Sequence, residues 1–276
     1  MIEASRPDGS SLSERAKARM LSRRGEPLFL ADWDRVLMIH FEVEADALQR
    51  DVPFELDLRE GRAFVSLVAF TMRGMRPSLG GRLTAWMLRS IATHEFLNVR
   101  TYVRHGVETG IYFLAEWLSN RLAVRLGPVT FGLPYRHGKI SYHHDWRVGD
   151  LFGRVADVAT GAALTYRAEL PSQAAFESCE ACSLTEWLME RYAAFTCRRS
   201  KRRFFRVWHP PWPQCEADVA LDDISLMSCH WPWFGEAQLT GANFSPGLSD
   251  VWMGRLWPVD ITTLRPSTSQ AGMRLN

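Results

Sequence analysis

The chain has no apolar run long enough to cross a bilayer. A membrane-spanning helix needs about 20 consecutive apolar residues, and the longest stretch here, Ala63–Met72, is strand-sized. Charge of one sign is also missing. Lys and Arg total 33 against 31 Asp and Glu, a formal net charge of +2. That field is too weak to draw the protein to nucleic acid or anionic lipid, so neither is expected as a partner. Cysteine is sparse, with five residues in an odd count and no disulfide-framework spacing. Reduced thiols in a cytoplasmic protein are the expectation. Residues Met1–Gly9 are polar and carry Glu3 and Arg6, which does not read as a signal peptide. Repeats, low-complexity tracts and linker-like stretches are absent.

Tryptophan, by contrast, is abundant. Eleven Trp residues point to a large aromatic core or a pocket with aromatic walls. With 276 residues, 46% hydrophobic and 23% charged, the chain can bury a substantial core as one large domain. Residues 1–27 are polar and basic and read as a flexible or loosely docked arm, in which Ser11–Arg24 could form a frayed helix with a thin apolar face. The core domain spans 28–258, and 259–276 form a polar tail.

The hydrophobic period within that domain is mostly two. Over Arg35–Val43, Leu37, Ile39, Phe41 and Val43 point one way and Val36, Met38, His40 and Glu42 the other. Ala63–Phe70 is apolar on both faces, as in a strand covered on both sides. Phe96–Val103 alternates again, and Gly110–Leu114 is its expected partner. Ile140–Trp146, Gly153–Val158 and Ala162–Leu170 read as consecutive antiparallel strands, the last two joined at Thr160-Gly161. Phe204–His209 is a further strand. Short helices are expected at 43–50, at Glu116–Leu122 and after the capping box Ser183-Leu-Thr-Glu186. The sum is a mainly β, α+β protein: an antiparallel barrel or sandwich with a few peripheral helices.

Asn98, Arg100 and Tyr102 share one face of one strand. A guanidinium facing into a sheet needs anionic or acceptor partners, because an unpaired buried charge is costly. Its planar fork suits a carboxylate. The alternatives are a solvated face, or a structural pairing of Arg100 with Glu95 or Glu42. The bend Gly132-Leu-Pro134-Tyr135-Arg136-His137 could present polar tips at a cavity mouth; an ordinary surface turn is the other reading. His40 shares a face with Glu42, which could orient it as a general base, or it could be a hydrogen-bonded core histidine. Cys179-x-x-Cys182 lacks a second pair at metal-ligand spacing, and His143-His144 point to opposite faces, so no metal site is assigned. The run Arg198–Arg203 reads as a solvated loop.

Several segments, in order over about residues 30–255, resemble the YqjF-like, or DUF2071, family. They include Trp33-x6-His40-Phe-x-Val43, Gly61-Arg-Ala-Phe-Val-Ser-Leu-Val-Ala-Phe70 and Glu95-Phe-x-Asn-Val-Arg-Thr-Tyr-Val103. Gly132-Leu-Pro-Tyr135, Glu190-Arg-Tyr192 and His209-x-Pro-Trp212 follow. That family is similar to the acetoacetate decarboxylase-like superfamily, which implies a conical antiparallel β-barrel around an internal cavity. The decarboxylase works through a Schiff-base lysine in a Phe-Pro-Lys-Lys stretch. The matching stretch here is Leu133-Pro134-Tyr135-Arg136, with Tyr135 on the nucleophile's position, Arg136 on its neighbour's and Lys139 the nearest amine. The decarboxylase's catalytic-strand glutamate falls on Asn98. A phenol forms no imine, so imine-based decarboxylation is not expected.

The resulting expectation is an internal site for an organic acid or carbonyl compound, needing no cofactor and no metal. Tyr135 and Arg100 would be its catalytic residues, and Asn98, Tyr102, Arg136 and His40 would bind substrate. A non-catalytic binding or sensing protein that keeps the cavity is the alternative, and homo-oligomers are compatible with either.

Overall fold

The computed structural model describes residues 11–259. Residues 1–10 of the expected arm, and all but Val259 of the expected tail, lie outside them. Within that arm a helix forms, α1 (Leu12–Leu21), closed by a reciprocal capping box between Ser11 and Glu14. It is docked rather than free. Met20 is fully buried, Ser13 Oγ donates to the His209 carbonyl at 2.6 Å, and Lys17 lies over the rings of Trp208 and Trp252.

Strand β1 (Phe29–Val43) follows the alternation read from its sequence. Leu37, Ile39, Phe41 and Val43 enter one buried cluster, and Val36 and Met38 enter another on the opposite face. The Glu44 carboxylate caps α2 (Ala45–Gln49) by accepting from the N–H groups of Asp46 and Ala47. Then come β2 (Glu55–Leu56), β3 (Ala63–Pro77), a 3-10 segment at Gly81–Leu88, β4 (His94–His105) and β5 (Glu108–Leu118). After α3 (Arg121–Thr130) lie β6 (Tyr135–Asp145), β7 (Asp150–Asp157), β8 (Ala163–Glu169) and α4 (Leu184–Met189). The chain ends through β9 (Ala193–Arg198), β10 (Lys201–Trp208), β11 (Cys215–Glu216), β12 (Asp218–Asp223), α5 (Ser225–His230), a 3-10 turn, β13 (Gln238–Met253) and β14 (Trp257–Pro258).

Seven strands close a ring. β1 pairs with β3, β3 with β4, and β4 with β5, all antiparallel. β5 pairs with β9 in parallel; β9–β10, β10–β13 and β13–β1 are antiparallel and return to the start. A side sheet of β6, β7, β8 and β12 joins β5 through a short parallel pairing with β6. It packs on the outer face of the ring with α5, so Leu37, Val65 and Val99 meet Leu151, Leu164 and Leu226 in one core. Both faces of the ring strands are therefore covered, which explains their unbroken apolar runs.

Two expectations change. The helix expected at Glu116–Leu122 is strand through Leu118, because Leu97 and Phe96 pair with Trp117 and Leu118. The helix starts later, where Asn120 Oδ1 accepts from the N–H groups of Leu122 and Ala123, both at 3.0 Å. The run Arg198–Arg203 is not a loop but a hairpin tip. Arg198 pairs with Lys201, and Arg199 and Ser200 adopt φ of 48 and 62 between them, the two left-handed residues of a tight turn.

Candidate functional site

The inner face of the ring surrounds a cavity of about 90 Å3, to which all seven ring strands contribute lining residues. Its polar side begins on β4. Asn98 and Arg100 point inward one strand-repeat apart, and both are buried. Between Val99 and Arg100 the β4–β5 register slips: Val99 pairs with Ala115, but Arg100 pairs with Phe113. This bulge changes the phase of β5, so Glu116 follows Ile111 and Phe113 into the lumen. Asn98, Glu116 and Tyr135 consequently stand in one row across β4, β5 and β6.

Tyr135 is held by its neighbours. Its ring meets Phe96 edge-on at 6.0 Å and lies flat against Gly127 of α3. A Cβ at residue 127 would stand 2.0 Å from the Tyr135 ring, so the close approach requires glycine there. Burial, followed by the charge of Glu116, pushes the Tyr135 phenol well above its ordinary range. Burial alone pushes the Glu116 carboxyl well above the usual carboxylate range, which favours its neutral, hydrogen-bond-donating form.

Arg100 keeps only 6% exposure, yet no carboxylate lies within ion-pair distance of it among the described residues. Its Nη2 donates to the Leu188 carbonyl at 3.2 Å and meets Met38 Sδ at 3.4 Å. The alternative pairings with Glu95 and Glu42 do not form: Glu95 accepts from Ser119, and Glu42 faces Arg62. A second guanidinium, Arg191, borders the cavity. It is paired with Asp57 at 2.7 Å, donates to the Trp187 carbonyl at 2.6 Å, and lies 4.0 Å over the Trp187 ring.

His40 and Tyr102 stand beside the cavity rather than in its lining. His40 Nδ1 is 2.7 Å from Ser66 Oγ, which is 2.5 Å from Tyr102 Oη; Tyr102 then donates to the Leu188 carbonyl at 3.1 Å. That carbonyl also receives Arg100, so the chain of bonds fixes the guanidinium from behind. Burial, and then the Arg100 charge, hold His40 down at about 3. Arg136 is on the other side of β6, exposed and 5.8 Å from the Trp117 ring. One residue beyond Tyr135 on a strand, it must face away from Tyr135. Lys139 is likewise exposed, and no lysine lines the cavity among the described residues.

Among the lining residues that were not anticipated, Glu116, Arg191, His209 and Trp212 carry polar atoms. Trp212 stacks on Trp33 at 5.9 Å and hangs from Glu190, whose carboxylate accepts its backbone N–H at 2.8 Å. The His209 imidazole is lowered by burial. Nine buried side-chain polar atoms in the described residues make no hydrogen bond within the protein, and five belong to the cavity lining: Asn98 Oδ1, Arg100 Nε, Glu116 Oε2, Arg191 Nη2 and Trp212 Nε1. Unsatisfied buried groups are costly wherever they occur. Their concentration around one cavity makes it a polar site.

Residues 30–232 match the profile of DUF2071, described as an uncharacterized conserved protein. The chain belongs to the DUF2071 family. This DUF2071 chain is also 29% identical over 197 residues to the uncharacterized protein YqjF of Bacillus subtilis (strain 168), covering 70% of this chain and 78% of YqjF. Among solved structures, its fold is similar to an acetoacetate decarboxylase-like enzyme from Sphingomonas wittichii RW1. There the TM-score is 0.59 at 15% identity, over 85% of this chain and 94% of that one. Acetoacetate decarboxylase from Legionella pneumophila gives a TM-score of 0.59 at 11% identity, over 84% and 87%. The enduracididine biosynthesis enzyme MppR, complexed with the condensation product of pyruvate and imidazole 4-carboxaldehyde, gives 0.59 at 14% identity, over 85% and 90%. The fold is thus acetoacetate decarboxylase-like. No helix among the described residues is long and apolar enough to cross a membrane.

Proposed function

We propose that the ring encloses a binding site for a small oxo acid and polarises its carbonyl group without forming an imine. The observation that carries this reading is Arg100, a buried guanidinium whose described partners are neutral. A buried charge without a counter-ion is strongly unfavourable, and a ligand carboxylate supplies one. Arg191, already neutralised by Asp57, offers its spare Nη2 to the same anion.

Glu116 and Tyr135 supply the second half of the site. A carboxyl held neutral by burial donates a hydrogen bond, as does a phenol, and two such donors converging on a carbonyl oxygen stabilise the enolate left when a water molecule takes a proton from the neighbouring carbon. Asn98, beside Glu116 in the row, orients the ligand. Organic acids seated in related folds, such as the pyruvate-derived product held by MppR, are of the class proposed. The free cysteines suit a reducing cytoplasm.

Proton NMR in deuterium oxide tests the proposal with pyruvate and acetoacetate. The expected result is faster exchange of the protons next to the carbonyl, lost in Arg100→Met and Tyr135→Phe. A second reading, a sensor that binds without turnover, is favoured by the absence of any lysine from the lining. It predicts an Arg100-dependent rise in melting temperature with no exchange. Failure of either acid to change exchange or melting would overturn both.

A further inference from the structure

The polar cavity has a neighbour across Tyr135. A second chamber of about 220 Å3 lies against it and shares Met72, Phe96, Leu133, Tyr135, Phe205 and Met253 with it. Its other walls come from the 3-10 segment, from β4 and from α3, through Leu88, Ile91, His94, Ala123 and Leu126. The two chambers differ sharply in chemistry. The inner one gathers five unsatisfied polar atoms. In the outer one, Thr130 Oγ1 is turned back onto the Leu126 carbonyl at 3.1 Å. His94 is neutral at pH 7, since burial lowers it to about 4. Apart from the two His94 ring nitrogens, which make no hydrogen bond, and the Tyr135 phenol shared with the inner chamber, the wall is hydrocarbon, and Leu126 is 42% exposed.

A largely apolar chamber that shares a wall with a polar one fits a ligand with the same division. Resting on the Arg100 reading above, we infer that the site takes a straight-chain carboxylate. Its head is held at Arg100, and its alkyl tail runs past Tyr135 into the chamber between α3 and the 3-10 segment. The walls are side chains of one fold rather than an open face, and they continue into the anion site. A single amphiphilic molecule therefore fits better than a second copy of the chain.

The test is titration calorimetry with butanoate, hexanoate, octanoate and decanoate, each beside the alcohol of equal length. Affinity is expected to rise about fourfold per added methylene until the chamber is full. Arg100→Met should bring each acid down to its alcohol. Leu126→Asp, and separately Leu126→Trp, should collapse the ratio of decanoate to butanoate affinity by at least tenfold; both changes fall on a half-exposed residue and spare the core. If butanoate binds through Arg100 but affinity does not rise with length, the tail site is wrong and the anion site stands. If affinity rises with length but the Leu126 variants leave the ratio unchanged, the tail lies elsewhere and the inference fails. If no acid of any length binds, the Arg100 reading falls and takes this one with it.

Discussion

Replacing Arg100 with methionine should make the protein more stable and useless as an anion site. Arg100 is buried on β4, with Leu188 O at 3.2 Å and Met38 Sδ at 3.4 Å as its described contacts. Removing the guanidinium gives up a charge-assisted hydrogen bond worth about 1.5–3 kcal/mol. The Leu188 carbonyl is not orphaned, because Tyr102 still donates to it at 3.1 Å. Against that loss stands the cost of holding an unpaired charge out of water, several kcal/mol even after relaxation. Methionine is unbranched and fills the space beside Met38. The balance is a gain of roughly 1–3 kcal/mol, or about 2–10 °C in melting temperature for a chain of this size. The wild type should recover that deficit on binding a carboxylate, by about 2.7 kcal/mol at a hundred times the dissociation constant. Urea unfolding at pH 7, with and without acetoacetate, reads both effects. A variant less stable than wild type by 2 kcal/mol or more would show that Arg100 is a structural pillar, and the reasoning would be refuted.

Glu116→Gln should cost little in acid, since burial favours the neutral form of the carboxyl. A carboxyl raised in the fold contributes stability that is complete below its unfolded value and lost as pH rises through the folded one. The variant should therefore gain on wild type in parallel unfolding curves as pH rises above the ordinary carboxylate range; a difference that stays constant with pH would contradict the burial argument. His94, lowered to about 4, works in the opposite direction: its stability is present above 6.5 and lost as pH falls toward 4. His94→Phe, in contact with Phe96, should flatten the acid limb by up to about 3 kcal/mol, measured by circular dichroism. Gly127→Ala drives a Cβ into the Tyr135 ring, so it should destabilise by about 1–3 kcal/mol despite the better helix former. It should also cancel the effect of Tyr135→Phe on ligand binding, and additive losses would mean that the glycine does not position the phenol.

How much of this was legible in the sequence depends on the range of the interaction concerned. Side-chain alternation is local, and it put Asn98, Arg100 and Tyr102 on one face of β4 and Val36, Met38 and His40 on one face of β1. The same rule separates Tyr135 from Arg136, yet treating the Gly-Leu-Pro-Tyr segment as a turn placed both at the site. The Ser11–Glu14 capping box is equally local, and the helix it opens docks more firmly than its thin apolar face suggests. Glu116 could not be found by period two. Its inward aim comes from a one-residue bulge at Leu114, and the slip exists only because β4 and β5 pair out of step. Arg191, His209 and Trp212 are further out of reach. Arg191 and Trp212 come from segments with no strand pattern of their own, and His209 from the end of an expected strand whose neighbours were not legible; all three are brought in when β5 pairs with β9 and β10 with β13 to close the ring. Closure depends on pairings between residues more than forty positions apart, and no window along the chain contains them. The legible half of the site is therefore the half built on single strands, and the illegible half is the one that closes the cavity around Arg100.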